Sequence, residues 1–231
     1  MFNRIVLALF FLLLSSRFCY ANAVGNWNLV KNDKANGIDV YLRILPNGNV
    51  EFKGITTLNT SLSSIVALFK DIDSMSRWVY RTKKVMVLKE ISHQEVYVYT
   101  IHTMPFPFTK RDSIVHSTIR QDPESLTVTI RGQAAPDYLP GKKGYIRIRA
   151  VKSFWSFEPQ AKGNVRITFQ GYGDPGGSIP SSIYRSPVFH WLSRFFLWEL
   201  PYYTLKNMQV IIHDKKYQTQ TFSFIKEPIQ R

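Results

Sequence analysis

The stretch "HTMPFPFTKRDSIVHS", residues 102–117, joins a turn to a segment with the pattern of a strand. Pro105 and Pro107 cannot donate hydrogen bonds to a neighbouring strand, so they predict a rigid, extended bend. After Arg111 and Asp112, apolar and polar residues alternate, which is typical of a half-buried strand. The stretch therefore predicts two consecutive strands joined by a stiff turn.

The first 23 residues have the features of a secretory signal peptide. Arg4 supplies a positive charge, residues 5–14 form a short apolar run, and the "ANA" at 21–23 offers small residues for cleavage. We therefore expect export to the periplasm or medium, and a single domain from residue 24 to 231. The only cysteine, Cys19, lies in the signal, so this domain must be stabilised by its core rather than by disulfides.

The composition is strongly basic, with 30 Lys and Arg residues against 16 Asp and Glu residues and a net charge of +14. Such a charge favours an anionic membrane surface, nucleic acid or an acidic partner, although solubility alone also accounts for it. Without a recognisable nucleic-acid motif, we expect no nucleic-acid partner. Oligomeric state is not indicated.

Segments with strand-like alternation recur along the chain between turn residues, which is typical of an antiparallel meander. They cover residues 38–44, 50–58, 84–90, 95–103, 112–120, 125–132, 145–157 and 164–171. Asn47 and Gly48, between the first two segments, are a strong hairpin signal. In the segment 145–157, Arg147 and Arg149 alternate with isoleucines, which predicts that both arginines face solvent.

Two segments have helical periodicity instead. Leu62, Ile65, Val66 and Phe69 share one face of a helix, which one of the residues 59–61 is expected to cap. The last third of the chain, from residue 179, is predicted to be helical, and Pro201 is expected to interrupt or kink it. Residues 188–200 are apolar nearly all round, which is typical of a buried or membrane-facing helix. The fold class is therefore α+β.

Signatures of catalysis and of cofactor binding are missing from the sequence. The five histidines do not have the spacing of zinc ligands with a carboxylate partner. The segment "GYGDPG", residues 171–176, matches a dinucleotide-binding pattern, but Pro175 removes an amide that a phosphate would need. We therefore expect no metal, no cofactor and no catalytic residues, and a sharp corner at these glycines.

Three segments resemble the START (StAR-related lipid-transfer) domain family. "MPFPFTKRDSIV" (104–115) is similar to its P-x-P-x-x-x-R-D-x-V signature. "WSFEPQAKGNVRITFQGYGDPGGSIPSSI" (155–183) resembles its strand-turn-strand before D-P-G-G-x-I-P, and "PYYTLKNMQ" (201–209) its closing P-x-x-T-L-x-N-L. The resemblance implies a helix-grip fold, in which a curved antiparallel sheet wraps around a long C-terminal helix. Together with the expected signal peptide, it suggests an exported bacterial-type member of the family. It also implies a hydrophobic tunnel for one lipid, and binding and transfer rather than catalysis.

The inward faces of the strands supply the candidate site. The expected cavity residues are Tyr97, Tyr99, Val115, Ser117, Ile119, Ile130, Trp155, Phe157 and Phe169. The expected gate or lid residues are Pro105, Phe106, Pro107, Phe108, Ile179, Ile183, Phe189 and Trp191. We expect Arg111 and Asp112 to fix the junction after the turn, as an ion pair or through backbone contacts.

The identity of the ligand and two alternative functions stay open. Sterol-binding relatives carry a cavity arginine at the position of Ser117, so the resemblance does not imply a sterol in particular. Sterols, phospholipids, sphingolipids and pigments all remain candidates, as does contact of residues 188–200 with a membrane. START-like cyclases and aromatases make an enzyme the alternative, and binding of an acidic polymer through the basic surface is a third.

Overall fold

A computed structural model describes residues 25–104, 106, 108–174, 176–177 and 195–229 of the chain. The strands in these ranges are β1 (Asn28–Asp33), β2 (Ile38–Ile44), β3 (Val50–Asn59), β4 (Thr82–Ser92), β5 (Glu95–His102), β6 (Arg111–Gln121), β7 (Val128–Ala134), β8 (Ile146–Arg147), β9 (Ala150–Pro159) and β10 (Asn164–Asp174). The helices in these ranges are α1 (Leu62–Lys70), α2 (Met75–Trp78), α3 (Leu200–Ile211) and α4 (Lys215–Gln218). Short 3₁₀ turns lie at Ile72–Ser74 and Ala161–Gly163, and a π-helical turn at Phe195–Glu199 precedes α3.

The described strands form one open sheet in the order β1-β2-β3-β10-β9-β7-β6-β5-β4. Neighbours along this order are antiparallel, whereas β8 adds a short parallel pairing with β6. The chain therefore crosses the sheet once between β3 and β4, where α1 and α2 lie, and returns as a meander. This arrangement confirms the predicted α+β class.

Local sequence signals account for most of the strand bounds. The β2–β3 hairpin turns at Asn47 and Gly48, where Gly48 has a φ of 83° that glycine adopts without steric cost. The predicted strand 145–157 is instead two strands, because Ile146 and Arg147 pair with β6 while β9 pairs with β7 and β10.

Helix α1 is fixed at its first turn by two groups. The Ser61 hydroxyl accepts a hydrogen bond from Ser64 N at 3.0 Å, as expected of an N-cap. The Glu227 carboxylate accepts hydrogen bonds from Leu62 N at 3.0 Å and Ser63 N at 2.7 Å, a position where the helix dipole favours negative charge. The C-terminal tail is therefore attached to the start of α1.

Helix α3 packs directly on the sheet. Pro201 lies in its first turn, directly after the π-helical turn at Phe195–Glu199, so the predicted interruption at Pro201 is the change from π-helical to α-helical turns. A Cβ placed on Gly54 of β3 would lie 2.8 Å from Leu205 Cδ1 and 3.1 Å from Pro201 Cβ, so glycine permits this close approach. The predicted helical residues 179–194 lie outside the described residues.

The main core lies between one face of the sheet and the helices α1 and α3. It contains Ile65 and Leu68 of α1, Leu205 and Met208 of α3, and Phe157 of the sheet, all fully or almost fully buried. A smaller cluster of Tyr99, Ile101 and Ile114 covers the opposite face of β5 and β6. Among the described residues, no helix is long and apolar enough to cross a membrane.

Candidate functional site

A cavity of about 320 Å³ lies between the sheet and the helical layer. Its walls are mostly apolar, and they come from strands β3–β7, β9 and β10 and from the helices. The large side chains of this wall are Phe52, Phe69, Ile130, Trp155, Phe169 and Leu200. This volume is at the lower end of the range for small-molecule sites, and its lining is the kind that binds apolar ligands.

Five of the residues expected in the cavity line it, namely Val115, Ser117, Ile130, Trp155 and Phe169. Ile119 lines an adjoining chamber of about 120 Å³. The two spaces share Ser117 and Ile130, so they lie end to end along the sheet. Phe157 is not in either wall but is buried behind Phe69, with their ring centroids 5.5 Å apart.

Tyr97 and Tyr99 face away from the cavity, which corrects their expected role. Side chains alternate along a strand, and it is Val98, Thr100 and His102 of β5 that line the cavity. The Tyr99 hydroxyl donates a hydrogen bond to Asp112 Oδ2 at 2.9 Å, and burial together with this carboxylate raises the pKa of Tyr99 to about 12.

Asp112 pairs with Arg147 rather than with Arg111. Arg147 Nε and Nη2 donate to the two carboxylate oxygens of Asp112, each at 3.0 Å. Burial raises the pKa of Asp112, but the hydrogen bonds from Arg147 and Tyr99 outweigh it, and the net pKa is lowered. The prediction that Arg147 faces solvent is wrong, since β8 pairs with β6 and brings its side chain over Asp112. Arg149 does face solvent, where it pairs with Asp137 at 2.7 Å.

Arg111 faces the cavity from the start of β6. Its guanidinium donates to the carbonyl oxygen of Thr109 and to that of Gly176, the latter at 3.4 Å. Gly176 and Gly177, with φ values of 65° and 68°, lie at the corner expected after β10. Arg111 thus fixes the turn after β5 through backbone contacts and ties it to that corner.

His102 lies beside Arg111 in the sheet register. His102 Nε2 and Ser113 Oγ are hydrogen-bonded at 2.9 Å. Burial lowers the pKa of His102 to about 4, so its ring is neutral at neutral pH. The same row of the sheet continues to Thr82 on β4, which pairs with His102.

The expected gate is described in part. Phe106 is 94% exposed and Phe108 is partly buried. Met104, just before the turn, lines the cavity, and so does Leu197 before α3. The remaining gate candidates lie outside the described residues: Pro105, Pro107, Ile179, Ile183, Phe189 and Trp191.

A sequence model of the START domain matches residues 22–195. The chain belongs to the START domain family. Its sheet-and-helix arrangement, with the cavity between the layers, is that family's helix-grip fold. At the family level, this membership supports lipid binding.

Three relatives illustrate the membership. The STAR-related lipid transfer protein of Xanthomonas axonopodis, a solved structure, is 30% identical with a TM-score of 0.70, covering 81% of this chain and 99% of that one. A Pseudomonas aeruginosa protein without an assigned function is 29% identical over 80% of this chain and 85% of its own. The phosphatidylcholine transfer protein of Mus musculus is 26% identical over 68% of this chain and 73% of its own.

The segment from Trp78 to Thr82 contributes to this START cavity and was not predicted from the sequence. All five of its residues line the cavity between α2 and β4. Tyr80 also contacts the helical layer, because its backbone N–H donates to Thr204 Oγ1 of α3 at 3.1 Å. Strand β4 was predicted to begin at Lys84, so Thr82 appeared to be loop. A sequence signal existed in Trp78 itself, a large aromatic residue at the end of a helix.

The described residues offer little for catalysis. No group of three or more His, Cys, Asp or Glu side chains in these ranges could hold a metal ion. His102 is neutral and hydrogen-bonded to a serine, and Asp112 is engaged by Arg147 and Tyr99. The cavity can bury the apolar surface of a bound molecule beside a few hydrogen-bonding side chains.

Proposed function

We propose that the protein binds a single lipid or similar hydrophobic molecule in the cavity and transfers it between membranes without covalent chemistry. The observation that carries this proposal is the apolar cavity between the sheet and α3, with Trp155, Phe169 and Ile130 in its wall. Burial of an acyl chain there would supply about 25 cal/mol per Å² of apolar surface. The Xanthomonas and mouse relatives are both named as lipid transfer proteins, which supports the same function.

Loading requires an opening, which we place at the turn after β5. Phe106 projects from this turn into solvent, and Met104 at its base lines the cavity. Arg111 links the turn to the corner at Gly176, so the two segments would move as one unit when the cavity opens. We propose that this turn is the gate.

The surface beside the turn suits an anionic membrane. Phe106, Tyr138 and Leu139 are exposed apolar residues, and Lys110, Lys142 and Lys143 are exposed cations. The backbone of Lys110 pairs with Ile146, and Arg147 donates to the Leu139 carbonyl oxygen, so both loops lie at the same end of β6. Each lysine near an anionic surface contributes about 1 kcal/mol to its attraction.

Mass spectrometry of an organic extract of the natively purified protein tests the function. We expect one class of lipid to copurify, and the same lipid to move from donor to acceptor liposomes when the protein is added. Protein that yields no lipid and accelerates no transfer would contradict the proposal. We further propose export through residues 1–23. N-terminal sequencing of the protein from its native cells should then begin at Val24, and a chain starting at Met1 would contradict export.

A further inference from the structure

Two buried donors in the cavity wall have no hydrogen-bond partner within the described part of the chain. They are Trp78 Nε1 and Thr82 Oγ1, and their residues are 1% and 8% exposed. Both residues line the larger cavity. A buried tryptophan N–H normally finds an acceptor, so this pair points to a group that is supplied from outside the chain.

The chemistry of the pair restricts that group. An indole N–H only donates, so its partner must be a hydrogen-bond acceptor. The Thr82 hydroxyl can donate to the same group or to a neighbouring one. Both donors are uncharged, and a neutral oxygen satisfies them without the cost of burying a charge. A carbonyl oxygen meets these conditions.

The position of the two donors indicates how a ligand would be oriented in the cavity. Thr82 pairs with His102, which pairs with Arg111, so polar groups form a row across β4, β5 and β6 next to the turn after β5. From Arg111 to Ser117, β6 extends about 20 Å, at roughly 3.3 Å per residue. Its far end meets Ile130 and the second chamber. The main cavity is therefore polar at the turn and apolar around Ile130, Trp155 and Phe169, whereas the second chamber also carries the charged side chains of Lys70, Glu90 and Glu95.

Building on the proposed function, we propose that the ligand is an ester-linked acyl lipid whose carbonyl oxygens accept hydrogen bonds from Trp78 and Thr82. Its acyl chain runs along β6 toward Ser117 and the apolar wall of the main cavity at Ile130 and Trp155. Its headgroup points toward Arg111 and the turn. The ester region of the lipid thus lies where the polar row of the sheet meets the apolar wall.

Isosteric variants test the two donors. Trp78→Phe removes the N–H and keeps an aromatic ring, and Thr82→Val removes the hydroxyl and keeps the shape. Trp27→Phe and Thr129→Val make the same changes outside the cavity wall and serve as controls. Each full-length protein is incubated with vesicles of dioleoyl phosphatidylcholine, its diether analogue or dioleoylglycerol. Bound lipid per protein is then measured by mass spectrometry.

We expect each cavity variant to capture about fivefold less of the two ester lipids, as for the loss of one hydrogen bond, and the double variant more than tenfold less. The diether lipid, which has no carbonyl oxygen, should bind wild type about as weakly as the double variant binds the diester. Neither donor has a hydrogen-bond partner within the described residues. The Thr82→Val substitution should therefore not lower the thermal midpoint of the protein measured without added lipid. This separates a ligand contact from a structural one.

Three results would overturn the assignment. The first is equal capture of diester by wild type, Trp78→Phe and Thr82→Val. The second is an equal loss of diether and diester lipid in these variants, because the acceptor would then be the phosphate. The third is a fall in the thermal midpoint of lipid-free Thr82→Val that matches its loss of capture. Absence of capture by wild type would instead refute the proposed function itself.

Discussion

Asp112 and Arg147 form a buried, bidentate ion pair that joins β6 to β8. The two hydrogen bonds are both 3.0 Å long, and the side chains are 0% and 9% exposed. Arg147 also donates to the carbonyl oxygens of Pro136 and Leu139, at 2.6 Å and 2.9 Å. The aspartate of the Arg-Asp motif therefore anchors the loop before β8 instead of facing the cavity.

Removing one partner of this pair should destabilise the fold. Arg147→Met leaves the Asp112 carboxylate buried without its cation, and we expect a loss of about 3–5 kcal/mol in the free energy of unfolding. Arg149→Met, which breaks the exposed pair with Asp137, is the matched control and should cost under about 1 kcal/mol. Urea denaturation measures both. Equal, small losses in the two variants would show that the buried pair is not structural.

The partly buried, neutral ring of His102 should make stability depend on pH. Its pKa falls from 6.5 to about 4 on burial, so below pH 6.5 the unfolded chain binds a proton that the folded chain does not. Its contribution to stability is therefore complete above pH 6.5, and it is lost progressively as the pH falls toward 4. We expect the free energy of unfolding to fall between pH 7 and pH 4.5, and to fall less in His102→Gln.

His93→Gln is the matched control substitution, since the His93 side chain is 89% exposed and lies outside the core. Urea denaturation at the two pH values gives the comparison. A His102→Gln variant with the full wild-type loss would contradict burial of a neutral ring.

Transfer should depend on the aromatic residues of the turn after β5. Phe106→Ser removes an exposed aromatic group from the proposed gate, and we expect the rate of lipid transfer between anionic liposomes to fall about tenfold or more, as when about 1.5 kcal/mol or more of interfacial contact is lost. Phe108→Ser should act in the same direction. Val210→Ser, at a 75% exposed position on α3, changes a comparable surface elsewhere. Wild-type transfer rates in both turn variants would contradict a gating role and would show that the turn only connects β5 to β6.

Gly54 should be intolerant of any side chain. An added methyl group would lie 2.8 Å from Leu205 Cδ1 and 3.1 Å from Pro201 Cβ, so α3 or its side chains must shift. We expect Gly54→Ala to lower the free energy of unfolding by about 1–3 kcal/mol, as in other overpacked sites. Gly141→Ala, which has open space around it, should be neutral. Thermal or urea unfolding of the two variants would settle the comparison, and equal stability would contradict the close contact.

Strand and turn positions could be predicted because they depend on local pattern. The alternation from residue 38 to 44 and the Asn47–Gly48 turn gave β2 and its hairpin correctly. The face of β6 with Val115 and Ser117 followed from the same alternation. These features require only that one face of a strand is buried.

What the sequence could not give depends on contacts between distant segments. The partner of Asp112 is Arg147, 35 positions away, and only the parallel pairing of β8 with β6 brings them together. For β5, both faces are covered, so its alternation could not tell whether Tyr99 or Thr100 faces the cavity. Trp78 lines the cavity only because α2 packs against the sheet.

Ser117 lies in the wall shared by the cavity and the second chamber, so a large side chain there should block the space between them. The most direct test of the central claim is the amount of lipid bound per protein, measured by mass spectrometry after incubation with liposomes. We predict about one lipid per wild-type chain and almost none for a folded Ser117→Phe variant. Equal lipid content in the two proteins would contradict binding in this cavity.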